Sequence, residues 1–333
     1  MRRWAIPQLL LAAAVISINP PAPALASQSL VRGFNWADAR DNFQDGWVIP
    51  SGLNASDTPP VAAATAGAVV RGLESISPGQ LTTIRLPINP PTVLGSWWPT
   101  YQAAIDEVLR SDKKAILACW EANKDGRIDD QDAFQEMWDV VISTYGNNPN
   151  VMFEIMNEPF GYTASEWTDI AAAWLSRSGV APARVIVDGV GYGENVVPVG
   201  NDPRLDGTAL GFHVYGFWRD HTSISAWKDE IEGGIGPFAD RVIITEFGSP
   251  MTTGAVYSPV GEDGGRDVAY LQAVTDAVRS HGLGSIYWPG LRDGDPFSLT
   301  SREGEGWSTS LRVNNESAVD LLSSAWEGRV TPD

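Results

Sequence analysis

Two glutamates stand where apolar runs of sequence stop. Glu158 closes the stretch from Val151 to Met156 just before Pro159, and Glu246 closes the stretch that begins at Arg241. Runs of this length suit strands covered on both faces, as in a parallel sheet, and Pro159 ends the ladder where the charge appears. A pair of carboxyl groups so placed is the equipment for splitting an acetal link between sugars. One acid protonates the leaving oxygen, a second carboxylate meets the oxocarbenium-like carbon, and a separation of roughly 5 to 5.5 Å lets the second attack directly. Such strand ends meet only if the fold gathers strand tips on one face, which a parallel barrel does. Arg85 breaks the apolar run from Thr83 to Ile88 and has no reason to face bulk water there. His213 and Tyr215, two residues apart, share one face of a further strand.

The elements needed to carry these residues are legible as alternating strands and helices. Strands are expected at Leu30–Phe34, Leu81–Leu86, Lys114–Cys119, Val151–Met156, Arg184–Asp188, Leu210–Tyr215, Arg241–Glu246 and Ser285–Trp288. Eight is the number a closed (β/α)8 TIM barrel requires, and residues 27–333 read as one such domain. Thr163 to Glu166 forms a capping box before a helix, and Asp130–Tyr145 and Asp267–His281 carry helical spacing and end at Gly146 and Gly282. Asn315 is placed to cap a last helix reaching about Trp326. The long segments Trp36–Pro60 and Gly248–Gly265 follow strands one and seven, on the side where such barrels build their clefts.

Taken in order, Arg85, Asn157 with Glu158 and Pro159, His213 with Tyr215, Glu246, and Trp288 resemble the pattern of glycoside hydrolase family 5, the cellulase-like retaining β-glycosidases. The resemblance implies that Glu158 is the acid/base and Glu246 the nucleophile. It further implies that Arg85 and Tyr215 donate hydrogen bonds to Glu246, that Asn157 binds the sugar 2-hydroxyl, and that Trp288 forms the floor under the sugar. His213 joins the same cleft. Where the family carries a histidine at the tip of strand three, this chain has Cys119 and Trp120, so Trp120 or Cys119 stands in that wall of the pocket. The resemblance implies an endo-β-1,4-glucanase, with mannan, xylan, galactan or exo-cleaved furanosides as alternatives. The competing class is a barrel that binds carbohydrate without cleaving it. Several further tryptophans, Trp36, Trp47, Trp97, Trp98, Trp218 and Trp307, fall in segments where they could serve as stacking platforms.

The chain opens with Met1, Arg2 and Arg3, an apolar segment from Leu9 to Ile18, and a small-residue site at Ala24 to Ala26. That pattern is a secretory leader over residues 1–26, too short to span a membrane, so an exported, extracellular monomer is expected. A net charge of −18 opposes nucleic acid and anionic lipid as partners and leaves a polysaccharide or oligosaccharide unopposed. Cys119 is the single cysteine, so no disulfide forms within the chain. Glu121, Asn123, Asp125, Gly126, Ile128, Asp129 and Asp132 approximate the spacing of a calcium loop. The stretch starts with Glu, ends with Asp and follows a strand, so a solvated turn whose aspartates cap the next helix is the competing account. The expected chemistry needs no cofactor and no metal.

Overall fold

In a computed structural model, which describes residues 30–258 and 264–327, eight parallel strands close into a barrel. They are β1 (Arg32–Trp36), β2 (Thr83–Ile88), β3 (Lys114–Cys119), β4 (Val151–Glu154), β5 (Val185–Asp188), β6 (Ala209–His213), β7 (Val242–Phe247) and β8 (Gly284–Leu291). Each pairs with the next, and β1 closes on β8 through Arg32 opposite Ser285. The expected single (β/α)8 barrel is therefore the fold. The expected leader lies outside the described residues, as does part of the segment after β7.

The helices are α1 (Pro59–Ile76), α2 (Pro90–Leu94), α3 (Trp98–Arg110), α4 (Gln131–Tyr145), α5 (Ala164–Ser178), α6 (Val197–Gly200), α7 (Ile224–Ile235), α8 (Arg266–His281) and α9 (Glu316–Trp326). Their ends follow local chemistry. Asp130 accepts from the N–H groups of Asp132 and Ala133 to start α4, and Thr163 and Glu166 form the reciprocal box that starts α5. Gly179 and Gly282 take the left-handed conformation that stops α5 and α8. The β5–β6 crossover departs from the rest, holding only the four-residue α6 followed by one short 3-10 turn, Pro203–Leu205.

Side-chain alternation along each strand divides the core in two. Ile116, Met152, Ile186, Ala209, Ile243 and Ile286 fill the barrel interior with Val31, while their neighbours on the same strands pack outward against the helices. Above the interior layer, Ala37, Ala118, Trp120, Tyr215 and Trp288 line the mouth. Several boundaries depart from expectation by one to three residues: β1 begins at Arg32, set by its pairing of Gly33 with Thr83, β2 runs Thr83–Ile88, β4 ends at Glu154, β6 ends at His213, and β8 continues past Trp288 to Leu291. An antiparallel hairpin, β9 (Thr300–Glu303) and β10 (Ser310–Val313), follows β8 through the pair Leu291 and Thr300. It was not expected, because its strands are short, polar and half exposed.

Candidate active site

Arg85 sits at the centre of the barrel mouth and is 1% exposed. Alternation along β2 turns Ile84, Leu86 and Ile88 outward, which sends Arg85 inward. Each of its five N–H groups has a distinct acceptor. Nε donates to Glu154 Oε2 at 2.8 Å, Nη1 to Asn35 Oδ1 at 2.8 Å and to Glu246 Oε1 at 2.5 Å, and Nη2 to Asn157 Oδ1 at 2.7 Å and to the second oxygen of Glu154. Glu154 and Asn35 went unread in the sequence. The signal for Glu154 was present, since it lies two residues after inward-facing Met152 and is a charge inside an apolar run.

Glu246, at the end of β7, accepts from Arg85 on one oxygen and from the Tyr215 hydroxyl on the other at 2.8 Å. Glu158 lies just beyond β4 with φ +49°, and its Oε1 is 3.0 Å from Nδ1 of His213. That same nitrogen is 3.8 Å from Glu246 Oε2, and one ligating atom each from Glu158, His213 and Glu246 fall within 4.8 Å of one another. The two strand-end glutamates therefore meet across a single ring-sized gap. The Glu158 side chain is 14% exposed against 3% for Glu246, so it stands nearer the opening.

Electrostatics treats the two differently in degree. Burial raises the Glu158 carboxyl to about 8, with the opposing pull of Arg85 acting across space. Burial also raises Glu246, while His213 and Arg85, and the Tyr215 hydrogen bond, pull it back. Burial thus opposes the ionised form of Glu246 that Arg85 and Tyr215 favour. His213 is pushed down by burial, and its Nε2 has no hydrogen-bond partner. Asp188, another buried carboxyl and one passed over in the sequence although it ends β5, is raised by burial and then by Glu154.

Asn157 keeps its Nδ2 unpaired and buried while its oxygen serves Arg85, leaving one amide donor free beside the glutamates. Trp288 stacks on Trp120, ring centres 5.6 Å apart and planes 21° from parallel. Of the two residues left open at the tip of β3, Trp120 faces the mouth and Cys119 packs outward with its thiol toward Glu121. Trp36, Trp97 and Trp98 are core residues, whereas Trp307 is 80% exposed on the β9–β10 turn. A further aromatic group on the rim went unread: Phe160 stacks on Tyr192 at 4.3 Å, and Phe217 stacks on Tyr215 at 5.1 Å.

The calcium-like stretch uses its carboxylates locally. Asp129 accepts from the N–H groups of Ala122 and Asn123, Asp130 caps α4, and Glu121 accepts from the Asp129 N–H. This is the capping arrangement weighed above. Among the described residues, ligating groups converge at Glu154, Asp188 and His213 and at Glu158, His213 and Glu246, both in the barrel mouth. No helix of the described residues is long and apolar enough to cross a membrane.

Comparison with known proteins places this geometry in context. Residues 73–290 match the cellulase family, glycosyl hydrolase family 5. A 90-residue stretch is 31% identical to Endoglucanase H of Acetivibrio thermocellus, covering 25% of this chain and 10% of that protein, so the chain spans about a tenth of that relative's length. The fold is similar to the endoglucanase Cel5A (E5) catalytic domain of Thermobifida fusca, with TM-score 0.59, 16% identity, and 90% of this chain and 92% of that one covered. It is also similar to Cel5A (EG2) of Hypocrea jecorina, with TM-score 0.57, 15% identity, and 87% and 97% covered. With a parallel barrel, a carboxylate pair at its mouth and a family match over most of its length, the chain belongs to glycosyl hydrolase family 5.

Proposed function

We propose that the protein is an exported, monomeric retaining glycoside hydrolase that cuts β-1,4-glucan internally by double displacement. The observation that carries this reading is the proximity of Glu158 and Glu246, which suits direct attack and leaves too little room for the water that an inverting pair must hold between its carboxyls. In the first step a Glu246 oxygen bonds to the anomeric carbon as the glycosidic C–O bond breaks, and Glu158 gives its proton to the departing oxygen. In the second, Glu158 takes a proton from water, the water oxygen bonds to the anomeric carbon, and the ester to Glu246 breaks. Arg85 and Tyr215 hold the nucleophile in place, and Asn157 Nδ2 is the free donor for the sugar 2-hydroxyl.

The glucan preference draws support from two structures of similar fold described as complexes: XacCel5A with cellopentaose, and the Thermobifida fusca enzyme with cellotetraose. A second reading, an exo-acting enzyme for furanosides, is favoured by Trp120, which stands where the family pattern carries histidine and narrows the wall above Trp288. The leader-like pattern of residues 1–26 supports export.

Reducing-end release from glucan, mannan, xylan, galactan and aryl furanosides separates these readings, with solution viscosity reporting internal cuts. The expected result is a fall in glucan viscosity ahead of reducing-end yield, with the first product's anomeric configuration retained by NMR. Inverted product removes double displacement, and turnover confined to furanosides replaces the substrate. Export predicts a mature chain from culture medium that starts at Ser27.

A further inference from the structure

Asp188 closes β5, is fully buried, and has no part in the reaction above. Its Oδ2 accepts the backbone N–H of Glu158 at 3.1 Å. The same oxygen lies 3.7 Å from Nε2 of His213, the ring whose other nitrogen is 3.0 Å from the Glu158 carboxyl. Glu158 is a non-glycine residue at φ +49°, a conformation that persists only where the surroundings hold it. Asp188 supplies one such hold.

Two neighbouring elements make room for this carboxyl and fix it. Gly211 on β6 pairs with Asp188, and a Cβ at Gly211 would stand 2.0 Å from Asp188 Oδ1. Trp167 of α5 donates its indole N–H to the Asp188 carbonyl at 2.8 Å. Glu154, Glu158 and Glu246 already crowd this space around Arg85, so a further buried carboxyl costs stability that an apolar residue would not. A purely structural role gives no reason for that cost.

We propose that Asp188 is a positioning residue for the acid/base, fixing Glu158 at both ends. It holds the main chain by a direct hydrogen bond and backs, at 3.7 Å, the His213 ring that contacts the carboxyl. The proposal rests on the reading of Glu158 as acid/base, and the experiment keeps the two separable. Values of kcat/KM are measured for wild type, Glu158→Ala, Asp188→Ala, Asp188→Asn and Gly211→Ala on two substrates with the same glycone. One is a cello-oligosaccharide, whose leaving group needs protonation. The other is a dinitrophenyl cellobioside, whose leaving group does not.

Glu158→Ala is expected to lose about 100-fold or more on the oligosaccharide and far less on the activated substrate. Asp188→Ala is expected to show the same split at smaller size, about 10- to 100-fold against less than about 3-fold, with KM unchanged. Asp188→Asn keeps an oxygen for the Glu158 N–H and puts an amide in place of the carboxyl behind His213, so it falls between wild type and Ala. Gly211→Ala drives a methyl into Asp188 and reproduces the split, but adds little in an Asp188→Ala background where that space is vacant. Equal losses on both substrates for the Asp188 variants, or none on either, overturn the proposal while Glu158→Ala still discriminates. If Glu158→Ala fails to discriminate, the reading beneath it falls. Should Asp188→Ala not fold, the Asn and Gly211 variants decide by the same comparison.

Discussion

Arg85 has no donor to spare, and that makes its replacement by lysine a severe change. An ammonium offers three donors from one point and cannot reach acceptors on Asn35, Glu154, Asn157 and Glu246 together. Arg85→Lys is expected to lower kcat by about 100-fold, in the range for losing a preorganised donor to a reacting group, with the circular dichroism spectrum unchanged. Glu246→Ala is expected to abolish turnover on both natural and activated substrates, which a product assay measures directly. For Glu158 the sign follows from its raised carboxyl: the group is protonated below about 8, so the first chemical step holds up to that region and falls as pH rises through it. The same shift acts on stability. A proton bound more tightly in the folded chain stabilises it fully below the unfolded value of 4.5, and this is lost as pH climbs through about 8. Glu158→Gln should therefore melt above wild type near pH 9 and alongside it near pH 4, as calorimetry at both pH values reports. At this scale the sequence disclosed the residues that end strands or interrupt apolar runs with a cation. Glu154 and Asp188 carry the same signal, a charge ending an apolar strand, and were legible in principle, whereas Asn35 has its Arg85 partner on another strand and no spacing signature. Trp120 was decidable in principle: Ile116 and Ala118 face inward, so period two sends Trp120 inward and Cys119 out.

Among the elements, α9 shows how the outer wall is covered where β1 meets β8. Asn315 caps it by accepting from Ala318 at 3.0 Å and donates its own amide to the Ala255 carbonyl, tying the helix to the segment after β7. At its other end Trp326 packs edge-on against Phe34 and donates to Ser285 Oγ at 2.8 Å. Trp326→Ala is expected to cost about 3 to 5 kcal/mol in urea denaturation, the usual loss for a buried large aromatic, with kcat retained where the chain remains folded. Strand and helix order could be read because apolar runs and caps are local signals. The β9–β10 hairpin could not, since its stability comes from continuing a sheet that already exists.

For the whole molecule, the absence of crosslinks leaves stability to the core. Cys119 is buried, and burial together with Glu121 pushes its thiol well above the ordinary value. The melting temperature should therefore be the same with and without reductant, and iodoacetamide should label the thiol only after unfolding. Labelling of the native protein would show that β3 opens. The closed barrel followed from counting eight buried strands, whereas the site depended on which side chains turn inward at each tip.

The thin wall at the β5–β6 crossover has a consequence for how the molecule comes apart. β4 and β5 are joined through Phe153 with Val185 and Glu154 with Ile186, and the chain that follows carries only the short α6 and one 3-10 turn. Amide deuteration on warming should appear first along this seam and last between β2 and β3, whose ladder runs from Thr83 to Ile88. Because Asp188 terminates the seam and Arg85 lies in the tighter ladder, mild heating should loosen the proton donor while the attacking group keeps its station.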